Sequence, residues 1–238
     1  MEKSVLLEIE DGTALITLNR PDRRNAINQD LLVHLYNSIE EVHSNDSIKV
    51  GIITGSGNSF CSGIDLEVIA KDNLIDPRGD GKDLPDVFSE CKTPIIGAVN
   101  GHAITGGLEI ALNCDFLIAS ENASFKDTHA RIGIPPGWGM TQLLQQAVGQ
   151  RMAKQMSFSC QSISANKALQ CGLVNEVVPH DVLLQRAKQI ASDICVASPD
   201  MVAVLKDLIK FKNSATLNEA FANERKGCKD FMYKIKGS

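Results

Sequence analysis

Apolar and polar residues alternate over residues 5 to 10 and again over 13 to 18, on either side of Asp11-Gly12. Two alternating runs joined by a dipeptide that favours a tight turn predict a β-hairpin. The period then changes. Leu31, Leu32, Leu35, Ile39 and Val42 recur at helical spacing and predict an amphipathic helix over 28 to 44. Residues 49 to 54, 94 to 99 and 116 to 119 are short apolar runs rich in β-branched residues, the pattern of strands covered on both faces. The hairpin, helix and first buried strand make one ββα turn of a spiral. Residues 70 to 90 are polar and hold Pro77, Gly79, Gly81 and Pro85, which predicts a mobile loop with a short helix. Beyond residue 139 the pattern is helical over 141 to 147, 151 to 158, 164 to 170, 180 to 197, 200 to 212 and 215 to 231, punctuated by Gly149, Gly172 and Pro199.

Two segments carry candidate chemistry. In NGHAITGGLEIALNCD, residues 100 to 115, Gly106 and Gly107 open a helix and Glu109 lies one turn in from Gly106 on the same face. The first N–H groups of a helix have no internal partner and carry the positive end of the macrodipole, which suits an oxygen that gains negative charge during a reaction. The alternative is a glycine-rich turn into a buried helix with a solvated glutamate. The second segment, SGNSFCSGIDLE at 56 to 67, follows a buried strand and leads through Ile64 to Asp65, placed as the N-cap of a next helix. Donors near Ile64 and at Gly106 form a pair able to pinch one carbonyl oxygen and hold it as an enolate-like anion.

The chain resembles the enoyl-CoA hydratase/isomerase (crotonase) family. The resemblance is carried by NRPDRRNAIN (19 to 28), SFCSGIDL (59 to 66), CKTPIIGAVNGHAITGGLEIALNCD (91 to 115), ASFKDTHARIGIPPGWGMTQ (123 to 142) and ISANKALQCGLVNEVV (163 to 178), in the family's order and over almost the whole chain. It implies an α/β fold, a crotonase-like spiral of ββα units over 1 to 180, followed by a helical C-terminal region over 181 to 238 that packs on the core and at an oligomer interface. It also implies an acyl-CoA thioester substrate, an oxyanion hole formed by the Ile64 and Gly106 N–H groups, and assembly as a homotrimer or homohexamer. Glu109 aligns with the first of the two carboxylates that share proton transfer in family hydratases. Arg23, Arg24, Ala26, Ser62 and Asp65 match positions that line the coenzyme, although adjacent arginines on a loop are also commonly just solvated.

This sequence departs from the family pattern at two points. His129 stands where a hydratase has its second glutamate, with Asp127 as the nearest carboxylate, and Thr105 replaces a glycine found in many relatives. Histidine titrates near neutrality and serves as acid or base, so His129 either replaces the carboxylate or only lines the pocket wall. The leading expectation is an enoyl-CoA hydratase that adds water across the 2,3 double bond. The alternatives are a 3,2-enoyl-CoA isomerase using Glu109 alone and a non-catalytic acyl-CoA-binding member.

Composition narrows the partners. Lys and Arg number 24 against 29 Asp and Glu, a net charge of -5, with no basic stripe or nucleic-acid motif, so no nucleic acid is expected. No segment has the apolar length to cross a bilayer, the start MEKSVLLEIEDG lacks a leader pattern, and YKIKGS is not a peroxisomal address, so a cytoplasmic protein without membrane association is expected. The seven cysteines form no CxxC pair and read as reduced small hydrophobes, and the scattered histidines indicate no metal site. No cofactor is expected beyond the coenzyme A of the substrate.

Overall fold

In the computed structural model, which describes residues 3–236, β1 (Val5–Glu10) and β2 (Thr13–Leu18) form the expected antiparallel hairpin, with Asp11 and Gly12 at φ 49° and 78°. Helix α1 (Gln29–Ser44) follows, its Asn28 side chain accepting the Leu31 N–H at 2.9 Å as an N-cap. The chain then repeats one motif three times, a long strand followed by a short strand and a helix. The repeats are β3 (Val50–Gly55), β4 (Ser59–Cys61) and α2 (Leu84–Glu90); β5 (Ile95–Val99), β6 (His102–Ile104) and α3 (Gly106–Asn113); and β7 (Phe116–Ser120), β8 (Ser124–Lys126) and α4 (His129–Ile132). After them come α5 (Met140–Ser159), β9 (Ile163–Ser164), α6 (Ala165–Gln170), β10 (Glu176–Val178), α7 (Leu183–Cys195), α8 (Pro199–Phe211) and α9 (Leu217–Lys236).

Long and short strands go to different sheets. The first sheet has the order β1-β2-β3-β5-β7-β10, parallel except for the hairpin, and the second has the order β4-β6-β8-β9. The run of apolar residues in each long strand has a simple cause. Ile53, Ile95, Val99, Leu117 and Ala119 join the main core, whereas Val50, Ile52, Ile96, Ala98 and Ile118 pack against Leu183, Ala187 and Ala191 of α7. Alternate residues thus bury against opposite layers, and both must be apolar.

That packing places α7 with the core. The structure divides into two compact units, one ending at Val196 and the other starting at Ala197, so the first extends past residue 180 to include α7. The second unit holds α8 and α9, whose Val204, Leu205, Ile209 and Phe221 are exposed in the single chain. Helix α5 is broken at Gly149 (φ 75°, ψ 155°), as the two segments predicted from sequence required. Among the described residues no helix is long and apolar enough to cross a membrane.

Asn25 secures the loop on which the site depends. It is fully buried in the left-handed region (φ 55°), accepts the Arg20 N–H at 2.8 Å, and its amide donates to the carbonyls of Ser56 and Ser59 at 2.9 and 2.8 Å. Asn25→Ala removes these hydrogen bonds, leaving Ser59 O only a longer contact with the Asn100 amide at 3.4 Å, and strains the backbone, a loss of about 3 kcal/mol. Urea denaturation checks this; an unchanged midpoint would remove Asn25 from the framework.

Candidate active site

The parallel ladder of β6 and β8 delivers Thr105 to the start of α3, with its N–H donating to Lys126 O at 2.8 Å. Thr105 is held at φ 52°, ψ −111°, a costly conformation for a β-branched residue. Its hydroxyl accepts the Thr128 N–H at 3.0 Å and also hydrogen-bonds the Thr128 hydroxyl. The two hydroxyls bind the head of α3 to the loop that carries Asp127 and His129. Thr105, where many relatives have glycine, thus adds a tie between the two loops.

Gly106 is the first residue of α3, and its N–H has no hydrogen-bond partner among the described residues. Ile64 presents its N–H in the same way. A parallel bridge pairs Ile27 with Ile64, using the Ile27 N–H to Gly63 O and the Asp65 N–H to Ile27 O, both at 2.8 Å, which leaves the Ile64 N–H unused among the described residues. The two stretches touch. A Cβ built on Gly63 would lie 3.6 Å from the Gly106 nitrogen, and one built on Gly106 would lie 3.6 Å from Ile64 Cγ1. A Cβ on Gly107 would fall 2.1 Å from the Cys61 carbonyl oxygen, so only glycine permits this approach of helix to loop.

Glu109 is 2% exposed. Its Oε1 accepts the Trp138 N–H at 2.9 Å and the Met140 N–H at 3.2 Å. Gly139 lies between those donors at φ 101°, a conformation that aims the amides on either side of it at one oxygen. The Asn113 side chain fixes this turn to α3 by donating to Trp138 O and Glu109 O at 3.0 and 2.8 Å. Glu109 Oε2 points towards His129 Nε2, 3.8 Å away. Burial pushes the Glu109 carboxyl above its ordinary range, and nearby Asp127 adds to this; the two backbone N–H groups and His129 oppose it without cancelling it. A carboxylate starved of water in this way is a stronger base than one in solvent.

His129 is also buried, on the first turn of α4. Its Nδ1 lies 2.7 Å from Asp127 Oδ1, which also accepts the His129 backbone N–H at 3.0 Å. Burial alone would raise the Asp127 carboxyl, but hydrogen bonds from the His129 ring, the Ser157 hydroxyl and the His129 amide outweigh it and hold Asp127 below the usual carboxylate range. Asp127, His129 and Glu109 therefore form a continuous buried line. The reading of Glu109 as a solvated glutamate does not survive its burial.

The coenzyme candidates gather on one margin. Ser62 N–H donates to Arg24 O at 3.0 Å, and the exposed Arg23 guanidinium grips Glu67 at 2.9 and 3.1 Å. Arg24 turns through the left-handed region at φ 52°, and the buried Ala26 accepts a hydrogen bond from Arg20. Asp65 does not cap a helix as the sequence suggested. Its Oδ2 pairs with Arg20 at 3.1 Å, its Oδ1 accepts the Glu67 N–H at 3.2 Å, and three-residue turns such as Lys71 N–H to Val68 O replace a regular helix. Arg20, Asn113, Gly139 and Ser157 escaped the sequence reading. A Gly-Trp-Gly run at 137 to 139 is the pattern of a turn, but nothing local shows that amides of this stretch meet a carboxylate 29 residues away.

Comparisons with known proteins identify the family and the fold. The profile of the enoyl-CoA hydratase/isomerase family matches residues 8–237. The chain is 40% identical over 218 residues to probable enoyl-CoA hydratase 1, peroxisomal, of Arabidopsis thaliana, covering 90% of this chain and 81% of that protein. It is 40% identical over 225 residues to the short-chain-enoyl-CoA hydratase of Clostridium acetobutylicum, covering 93% and 86%. The crystal structure of enoyl-CoA hydratase from Bacillus anthracis superposes with a TM-score of 0.88 at 31% identity, covering 97% of this chain and 91% of that one. With its ββα spiral, its C-terminal helices and a match that runs nearly end to end, the chain is a member of the enoyl-CoA hydratase/isomerase family and has the crotonase fold.

Proposed function

We propose that this protein is an enoyl-CoA hydratase in which Glu109 and His129 divide the proton transfers. The reading is carried by one observation: a desolvated Glu109 has one oxygen fixed by two amides, while the other faces His129. The thioester oxygen sits between the N–H groups of Ile64 and Gly106. As the oxygen of water bonds to C3, the double-bond electrons move through C2 onto that thioester oxygen, and the proton of water passes to Glu109. C2 then takes a proton from His129 Nε2, and the enolate collapses to the 3-hydroxyacyl thioester. Return of the Glu109 proton to His129 restores the pair. Each amide donor contributes on the order of 3 kcal/mol to holding the anion. On this reading Arg23 and Arg24 offer charge to the phosphates of the coenzyme.

Relatives named as hydratases at about 40% identity favour this reading over the isomerase alternative. Purified protein mixed with crotonyl-CoA is expected to lower the conjugated-thioester absorbance. In a parallel assay a 3-enoyl-CoA should produce little rise in that absorbance. A rise with the 3-enoyl substrate and no fall with crotonyl-CoA would make the protein an isomerase, and inertness towards both would make it a binding protein.

A further inference from the structure

The Asp127–His129 contact goes unused in the water-addition step itself, yet it is among the shortest polar contacts in the buried site. A neutral imidazole carries its proton on one nitrogen, and the hydrogen bond at one ring position decides which. We infer that Asp127 is a positioning residue that holds the His129 proton on Nδ1, so that Nε2 is the nitrogen presented to Glu109 and the substrate.

The geometry leaves little freedom. Asp127 Oδ1 accepts from both the His129 backbone N–H and the ring, so the carboxylate grips the residue at two points and fixes the ring as well as its proton. Ser157 of α5 hydrogen-bonds the same carboxylate from outside the loop. The charged groups facing the ring are Asp127 on its own loop and Glu109 from α3. With Nδ1–H committed to Asp127, a second proton on Nε2 is the only one the ring can give up towards C2 or take back from Glu109. An ionised Asp127 also stabilises the doubly protonated ring that must exist just before it donates. Thr105 enters the same assembly because its hydroxyl holds Thr128, the residue between the two partners.

A purely structural Asp127, serving only to turn the chain into α4, would bond the backbone N–H and have no bearing on ring protonation. The experiment that separates these uses nitrogen-15 NMR of the imidazole in the intact protein, with crotonyl-CoA hydration measured alongside. In the wild type the neutral His129 ring is expected to carry its proton on Nδ1. Asp127→Asn keeps an acceptor oxygen but removes the charge, so the neutral ring should stay protonated at Nδ1 while kcat falls about tenfold with KM little changed, and an unchanged kcat would count against the positioning role. Asp127→Ala should lose the fixed tautomer and about a hundredfold in kcat, with KM little changed. Should Asp127→Ala fail to fold, the wild-type spectrum and Asp127→Asn decide the matter. A wild-type ring protonated at Nε2, or an Asp127→Ala ring that keeps its proton fixed on Nδ1, would overturn the inference. The catalytic consequence depends on the hydratase reading, but the ring spectrum does not. A protein inert towards crotonyl-CoA with an Nδ1-protonated ring would sink the hydratase reading and leave Asp127 in its role.

Discussion

Replacing Glu109 with glutamine is expected to slow crotonyl-CoA hydration about a thousandfold while leaving thioester binding nearly unchanged. Glutamine keeps the shape of the side chain, and its carbonyl oxygen can accept the Trp138 and Met140 N–H groups as Oε1 does now. What disappears is the ability to take a proton from water, a contribution of roughly 10²- to 10⁴-fold. The loss should fall on kcat, because the Ile64 and Gly106 amides proposed to hold the thioester oxygen are untouched. The pH dependence follows from burial. Since the folded protein holds the Glu109 carboxyl above its ordinary 4.5, the wild-type rate should decline on the acid side at a pH higher than a solvated glutamate would give.

Stability moves the opposite way. A carboxyl whose pKa is raised by folding contributes fully below its unfolded value, and that contribution is lost as pH rises through the folded value, so at pH 7 ionised Glu109 is a cost to the fold. Glu109→Gln removes it and should raise the melting temperature by a few degrees at neutral pH, but not near pH 4. Calorimetry at the two pH values, with steady-state kinetics, checks both halves. Full activity in the variant would take Glu109 out of the mechanism, and a lowered melting temperature at pH 7 would contradict the burial argument.

The largest stability effect is expected from Gly107→Ala. The added methyl would lie 2.1 Å from the Cys61 carbonyl oxygen and 2.7 Å from Cys61 C and Cβ, so relief requires the backbone of β4 to move away from α3. The cost is about 4 kcal/mol or more, at the extreme end for a single substitution. Any folded remnant should hydrate poorly, because the movement separates the Ile64 and Gly106 amides. Gly106→Ala is the control. Its methyl would meet Ile27 Cδ1 at 3.1 Å and Trp138 Cζ3 at 3.3 Å, both ends of side chains that can shift. Urea titrations of the two variants should rank them far apart; equal midpoints would refute the close-approach argument.

Much of this was legible from residue order because it depends on local pattern. The hairpin at Asp11-Gly12, helix α1, the three long buried strands and the break at Gly149 all follow from periodicity and punctuation. The short strands β4, β6, β8, β9 and β10 were invisible, since two or three residues cannot establish a period. The helix expected after Asp65 is replaced by short turns, although Asp65 Oδ1 still accepts the Glu67 N–H; its other oxygen pairs with Arg20, 45 positions earlier, a contact no local pattern shows. At the site, Gly106, Ile64 and Glu109 could be named from backbone chemistry and resemblance. The amides of Trp138 and Met140 and the orientation of His129 could not, because they depend on contacts between distant loops.

The seating of the Cys61 carbonyl against Gly107 has an evolutionary consequence. Two amides mounted on one rigid joint cannot be tuned separately, since sequence drift behind either loop displaces both. If those amides hold the thioester oxygen as proposed, the reaction is altered more readily through the side chains around this joint than through the backbone itself. Position 129, where the family resemblance implies a second glutamate and this chain has a histidine with its own carboxylate partner, is one such side chain.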